Sequence, residues 1–163
     1  MRSRGAILAA YAASLLVFVA LVAAAATFGA RFEPGQWYEQ LVKAPWTPPN
    51  WLFGPVWTLL YVAIALAGWL VWRAKKGFSA PLALWVGQLL LNAAWSWLFF
   101  GEHHMGLALL DISLLVLAIG AFIVASAPLS RAASWLFAPY ALWTLYALSL
   151  NFYAWANNPR GGG

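Results

Sequence analysis

The sequence predicts an all-α membrane protein: a bundle of five transmembrane helices whose structured first loop acts as a lid. Three observations predict it. The chain is 64% hydrophobic and only 8% charged, where a soluble domain carries roughly a quarter charged residues. Its apolar residues gather in five stretches, at about 6–27, 51–72, 81–100, 106–127 and 132–155, each near the roughly 20 residues that cross a bilayer as a helix. Only the first connection, residues 28–50, has room for structure of its own. Together the stretches make a single domain, 1–163, with no soluble unit beside it.

The first stretch follows Arg2 and Arg4, as a signal peptide does, but its apolar run exceeds 20 residues, against roughly 7–15 for a signal h-region, so it reads as a retained span. In the lid, Pro34-Gly35-Gln36-Trp37-Tyr38-Glu39-Gln40-Leu41 suits one or two helical turns, with Pro34 at the start and Glu39 early. Lys43 follows, and then Trp46-Thr47-Pro48-Pro49-Asn50-Trp51, where two prolines lacking N–H groups hold the chain extended before the second span. Trp57 and Tyr61 lie four apart on one helical face below that entrance.

On the third span Gln88, Asn92, Trp95 and Phe99 form one stripe, while Ala83, Gly87 and Ala94 lie nearly opposite. The small face suits close helix packing, including a homodimer. The polar stripe reads either as hydrogen bonding between helices or as part of a binding site. The loop Gly101-Glu102-His103-His104-Met105-Gly106 and the connection Pro128-Leu129-Ser130-Arg131 are tight, so the spans they join are antiparallel neighbours.

Asp111 is the only acid well inside a span, and such a group needs a partner or an aqueous cavity. Lying about one turn into the fourth span, it is expected to accept from the third loop or a helix end rather than relay protons. On the fifth span Trp143, Ala147 and Asn151 stack below Pro139, which frees a carbonyl. Trp143 beside the small Ala147 leaves a slot for a planar molecule, or else is core. Trp51, Trp72, Trp97, Trp135 and Trp155 sit near span ends and read as an interfacial belt. The tail 157–163 has no apolar content and is expected to be mobile.

Six of the cations, Arg2, Arg4, Arg73, Lys75, Lys76 and Arg131, fall on one side, against Arg31, Lys43 and Arg160 on the other, so the N-terminus is expected on the cytoplasm-like side. The net charge of +5 favours anionic headgroups in the bilayer but makes no nucleic-acid patch. With no cysteine, disulfides and thiol chemistry are excluded. The adjacent His103 and His104 have no third ligand at suitable spacing, and no metal site is predicted. Nor does any acid–base pair or nucleophile suggest conventional catalysis.

In order along the chain stand Trp37-Tyr38 with Leu41 and Lys43, Pro45-Trp46-Thr47-Pro48-Pro49, Phe53-Gly54-Pro55-Val56-Trp57 with Tyr61, and Gln88. After them come Leu91-Asn92 with Trp95 and Phe99-Phe100, Asp111, Pro139-Tyr140 with Trp143, and Leu150-Asn151. This pattern resembles the translocator protein / tryptophan-rich sensory protein family across nearly the whole chain. The resemblance implies five spans, a homodimer and a pocket in each bundle closed by the first loop. It also implies ligands such as porphyrins, haem, sterols in animal relatives, and benzodiazepine-type molecules.

Carried over by motif, the pocket wall is Tyr38, Trp46, Pro48, Pro49, Phe53, Trp57, Asn92, Trp95, Trp143 and Ala147. Porphyrin or haem is then the ligand and no cofactor is required. A sterol motif would need Tyr153 and Arg160, whose separation is too long, so sterol is disfavoured as the native ligand. The function implied is a membrane sensor or regulator that binds tetrapyrroles. The alternatives are light-dependent porphyrin degradation through Trp57 and Trp143, leaving enzyme status open, and, ranked last, a tetrapyrrole or sterol transporter.

Overall fold

The computed structural model describes residues 4–158; Arg2, Arg160 and the rest of the tail from 159 onward lie outside the described residues. Six α-helices follow one another: α1 (Arg4–Gly29), α2 (Gln36–Gln40), α3 (Phe53–Lys75), α4 (Ala80–Ser96), α5 (Met105–Ser126) and α6 (Arg131–Asn157). A 3₁₀ turn, Asn50–Leu52, leads into α3, and a π-helical turn, Trp97–Gly101, extends α4. No strand occurs among the described residues.

Local chemistry sets the ends of these helices. Ser130 caps α6, its Oγ accepting from the Ala133 N–H at 3.2 Å, which satisfies one of the first-turn donors. Lys76 closes α3 in the left-handed region at φ 49°, its N–H donating to the Trp72 carbonyl at 2.7 Å. Pro81 occupies the first turn of α4, where a missing N–H costs nothing.

Four stretches are long and apolar enough to cross a membrane: Arg4–Gly29, Asn50–Lys75, Ala80–Gly101 and Met105–Ser126. At 27 residues α6 has the length, but Thr144, Ser149, Asn151 and its tyrosines make it more polar. α5 packs against α4 and α6, α1 against α3 and α4, and α3 also against α6.

Burial in lipid offers these faces little hydrophobic gain, so close fit and interhelical hydrogen bonds carry the association. Both are visible around Trp85, which is buried and donates its Nε1–H to the Ile64 carbonyl at 2.8 Å. The indole can approach α3 only because residue 68 is glycine: a Cβ there would run into the Trp85 ring and Phe18. Phe122 and Phe137, both fully buried, pack with their rings tilted and centroids 4.0 Å apart to join α5 to α6.

Candidate functional site

The polar stripe of α4 is tied into a chain that crosses three helices. Tyr61 Oη on α3 donates to Asn92 Oδ1 at 3.3 Å, Asn92 Nδ2 donates to Tyr140 Oη on α6 at 3.0 Å, and Tyr140 donates to Gln88 Oε1 at 2.9 Å. Gln88 Nε2 closes the chain on the Trp85 carbonyl at 2.9 Å. In a medium without water each buried donor here needs an acceptor, and the chain supplies one to every member. Both ends of the Asn92 amide are therefore engaged inside the bundle.

Above this chain lies a cavity between the first loop and the ends of α4 and α6. Tyr38, Leu41, Lys43 and Thr47 roof it, Phe53 closes its α3 side, and Trp95, Phe99 and Phe100 form one wall. Ala147, Leu150 and Asn151 form the other. The lining is almost wholly apolar and aromatic, with Lys43 its one cation. The enclosed volume is about 50 Å³, far below the roughly 300–1,000 Å³ of pockets that hold drug-sized ligands. The cavity is thus nearly filled by its own lining.

The π turn shapes one wall. By inserting an extra residue per turn, it brings Phe99 and Phe100 together toward the loop, where Phe99 stacks on Trp95 at 5.2 Å and both rings meet Tyr38 edge-on at 6.4 and 5.5 Å. Gly101 at its end leaves room for Phe32. Burial pushes the Tyr38 hydroxyl above its ordinary pKa of 10.0, so it is a neutral group in the roof.

Of the ten residues expected in the pocket wall, Tyr38, Phe53, Trp95 and Ala147 line this cavity. Trp57 lies lower, packed on Tyr61 and Tyr140 at 5.2 and 6.2 Å. Trp143 sits behind Phe53 at 5.7 Å, and its Nε1–H is buried with no hydrogen-bond partner. Trp46 is half exposed, donating from Nε1 to Ser149 Oγ at 3.3 Å, and Pro48 and Pro49 stand at the loop's exit, outside the lining. Phe100, Lys43 and Leu150 were not singled out for the wall by sequence. Phe100 depends on the π turn, which carries no sequence signal, whereas Lys43 could have been found from its place between Tyr38 and the prolines.

One other expectation changes. Among the described residues, neither the third loop nor a helix end donates to Asp111: it is buried on α5 with Ala108 and Ile112, and its Oδ2 has no partner. The polar groups that do tie α6 to α5 are Asn151, whose Nδ2 donates to the Met105 carbonyl at 3.0 Å, and Ser134, whose Oγ donates to the Ile123 carbonyl at 2.8 Å. His103 is an exposed loop residue whose ring stacks flat on Trp37 at 4.1 Å.

Fold and site together define a polytopic helical membrane protein with an aromatic cavity beneath a structured loop. The chain belongs to the TspO/MBR family, whose family model matches residues 12–156. It is 42% identical over 143 residues to the translocator protein of Homo sapiens, covering 82% of this chain and 85% of the human one. It is 38% identical over 142 residues to the tryptophan-rich sensory protein of Cereibacter sphaeroides (87% and 89%). The tryptophan-rich protein TspO of Archaeoglobus fulgidus is 41% identical over 143 residues (86% and 91%). With this family and four apolar stretches of spanning length, the chain is an integral, multi-pass membrane protein.

Proposed function

We propose that this protein is a membrane sensor or regulator that binds porphyrin-type tetrapyrroles, protoporphyrin or haem, in the cavity beneath residues 28–50. In this reading α6 is the fifth span and the loop is its lid. The observation that carries it is the lining itself: stacked Trp95 and Phe99, flanked by Phe53, Phe100 and Tyr38, with hardly any charge. Such a surface favours a large flat apolar ring. The name of one relative, tryptophan-rich sensory protein, supports the sensing role.

Opening must accompany binding, because the cavity is too small for such a ring. With Asn92 engaged at both ends, the groups of the lining that can meet a polar ligand edge are Lys43, Thr47 and the Tyr38 hydroxyl. Trp46, Pro48 and Pro49 act on the ligand through the shape of the loop. No separate cofactor is needed.

A second reading, light-dependent porphyrin degradation, is favoured by the contiguous oxidisable rings of Trp57, Tyr61 and Tyr140. We further propose a homodimer through the Ala83, Gly87 and Ala94 face. A Cβ on Gly87 would meet nothing, and a groove of about 460 Å³ between α1 and α4 is lined by Val86, Leu90 and Ala94.

The test of the binding role is a screen of purified protein in detergent against protoporphyrin, haem, cholesterol and an isoquinoline carboxamide, with Trp95→Ala as control. Saturable protoporphyrin quenching that the control loses is expected. Equal quenching by both proteins overturns the assignment.

A further inference from the structure

The loop over the cavity is held by two unlike edges. Along α6 the attachment is made of hydrogen bonds and one ring contact, Trp46 edge-on to Tyr153 at 5.3 Å. Asn158 pairs reciprocally with Val42, its Oδ1 accepting from the Val42 N–H at 2.8 Å and its Nδ2 donating to the Val42 carbonyl at 3.0 Å. One side-chain amide thereby satisfies both backbone groups of Val42, as one rung of a β-ladder would. Tyr146 Oη adds a bond to the Trp46 carbonyl at 2.6 Å, and Trp46 Nε1 reaches Ser149 Oγ. Asn158 Nδ2 also donates to the Ala154 carbonyl at 2.8 Å, which ties the amide to α6.

The opposite edge, α2 against the π turn and the loop after it, has no hydrogen bond across it among the described residues. It is held by rings: Trp37 stacked on His103 at 4.1 Å and 13°, Trp37 edge-on to Phe99 at 5.7 Å, and Tyr38 on Phe99 and Phe100. His103 presents its ring from a left-handed backbone, φ 58°, a conformation disfavoured for a residue with a Cβ and maintained here where its ring docks. Directional bonds fix a register and break all at once, whereas ring contacts slide and re-form.

We propose that the 28–50 segment is a one-sided gate, pinned to α6 by Asn158 and admitting ligand at the α2 edge, where Trp37 parts from His103 and Phe99. Asn158 is then a positioning residue: it keeps Leu41, Lys43 and Ala44, which flank Val42 in the cavity roof, in place while α2 moves. The gate rests on reading the cavity as the ligand site.

The absence of native cysteine allows each edge to be locked separately. One variant carries Trp37→Cys with His103→Cys, the other Val42→Cys with Asn158→Cys, each bridged by a short, reducible thiol-to-thiol reagent. The bridge at 37 and 103 should slow protoporphyrin association by at least about tenfold, with recovery on reduction, while the bridge at 42 and 158 leaves association unchanged. The reverse pattern, or equal effects of the two bridges, overturns the proposal.

Deuterium exchange of the ligand-free protein judges the gate without any ligand. Residues 36–40 should exchange at least about tenfold faster than the Val42 amide, and Asn158→Ala should release Val42 while the long helices stay protected. A Val42 amide that exchanges as fast as α2 in the unsubstituted chain overturns the pin. If neither unbridged variant nor the parent binds protoporphyrin, the proposed ligand fails, and the exchange result still decides the gate.

Discussion

Trp95 donates its Nε1–H to Asn151 Oδ1 at 2.9 Å, joining α4 to α6 at the cavity wall. Because Asn151 Nδ2 also bonds the Met105 carbonyl at 3.0 Å, one buried amide fastens three helices. Asn151→Leu should leave the indole N–H and that carbonyl unpaired and cost about 1–3 kcal/mol. Asn151→Asp keeps the acceptor for Trp95 and should rescue Trp95 fluorescence but not the full stability. Thermal unfolding in detergent, followed with the emission spectrum, checks both; a melting temperature unchanged in Asn151→Leu refutes the three-helix role.

Gly68 gives the sharpest steric prediction. Its missing Cβ is where the Trp85 ring and Phe18 pass, so Gly68→Ala should overpack the α1–α3–α4 seam and destabilise by about 1–3 kcal/mol. Trp85→Phe in the same chain should recover part of the loss by vacating space, although it forfeits the bond to the Ile64 carbonyl. A double-mutant cycle read by melting temperature checks the coupling, and strict additivity of the two changes counts against it.

How far the sequence discloses this arrangement depends on what kind of information each feature needs. The long helices and the tight Gly101–Gly106 and Pro128–Arg131 connections follow from apolar run length and turn residues, which are local. Tyr38, Phe53, Trp95 and Ala147, which line the cavity, were reached through the family pattern, with helical periodicity adding only the stripe of Trp95 and the stacking of Trp143 with Ala147. The engagement of both ends of Asn92 was not, since it depends on Tyr61 and Tyr140, which are 31 and 48 residues distant. The turn to π geometry at Trp97–Gly101 and the pairing of Val42 with Asn158, 116 residues apart, are likewise settled only by packing. Asp111 shows the limit from the other side, since its depth was readable but the unpartnered state of its Oδ2 was not.

Aromatic contributions to ligand binding should follow the cavity rather than the tryptophan count. Trp95→Phe should weaken protoporphyrin quenching by several-fold to about tenfold, as expected for loss of one stacking indole. Trp57→Phe, whose ring packs on Tyr61 and Tyr140 below the cavity, should change the dissociation constant by less than about twofold. Under illumination the order reverses if the second reading holds: product accumulates in light but not in darkness, and Trp57→Phe or Trp143→Phe suppresses it. Equal product in light and dark, or none in either, removes photo-oxidation from consideration.

Tyr38 links the roof to alkaline pH. Its folded-state pKa is raised by burial above the ordinary 10.0, so the neutral hydroxyl is the form the docked loop prefers. The sign follows: this contribution is complete below pH 10 and is lost as pH rises through the higher folded value. Undocking of α2 should expose Trp37, now packed on His103 and Phe99, and shift its emission to the red above pH 10. Tyr38→Phe cannot ionise and should hold the roof closed over the same range. A stopped pH titration of tryptophan emission in the two proteins checks this, and identical curves for both would show that some other group opens the loop.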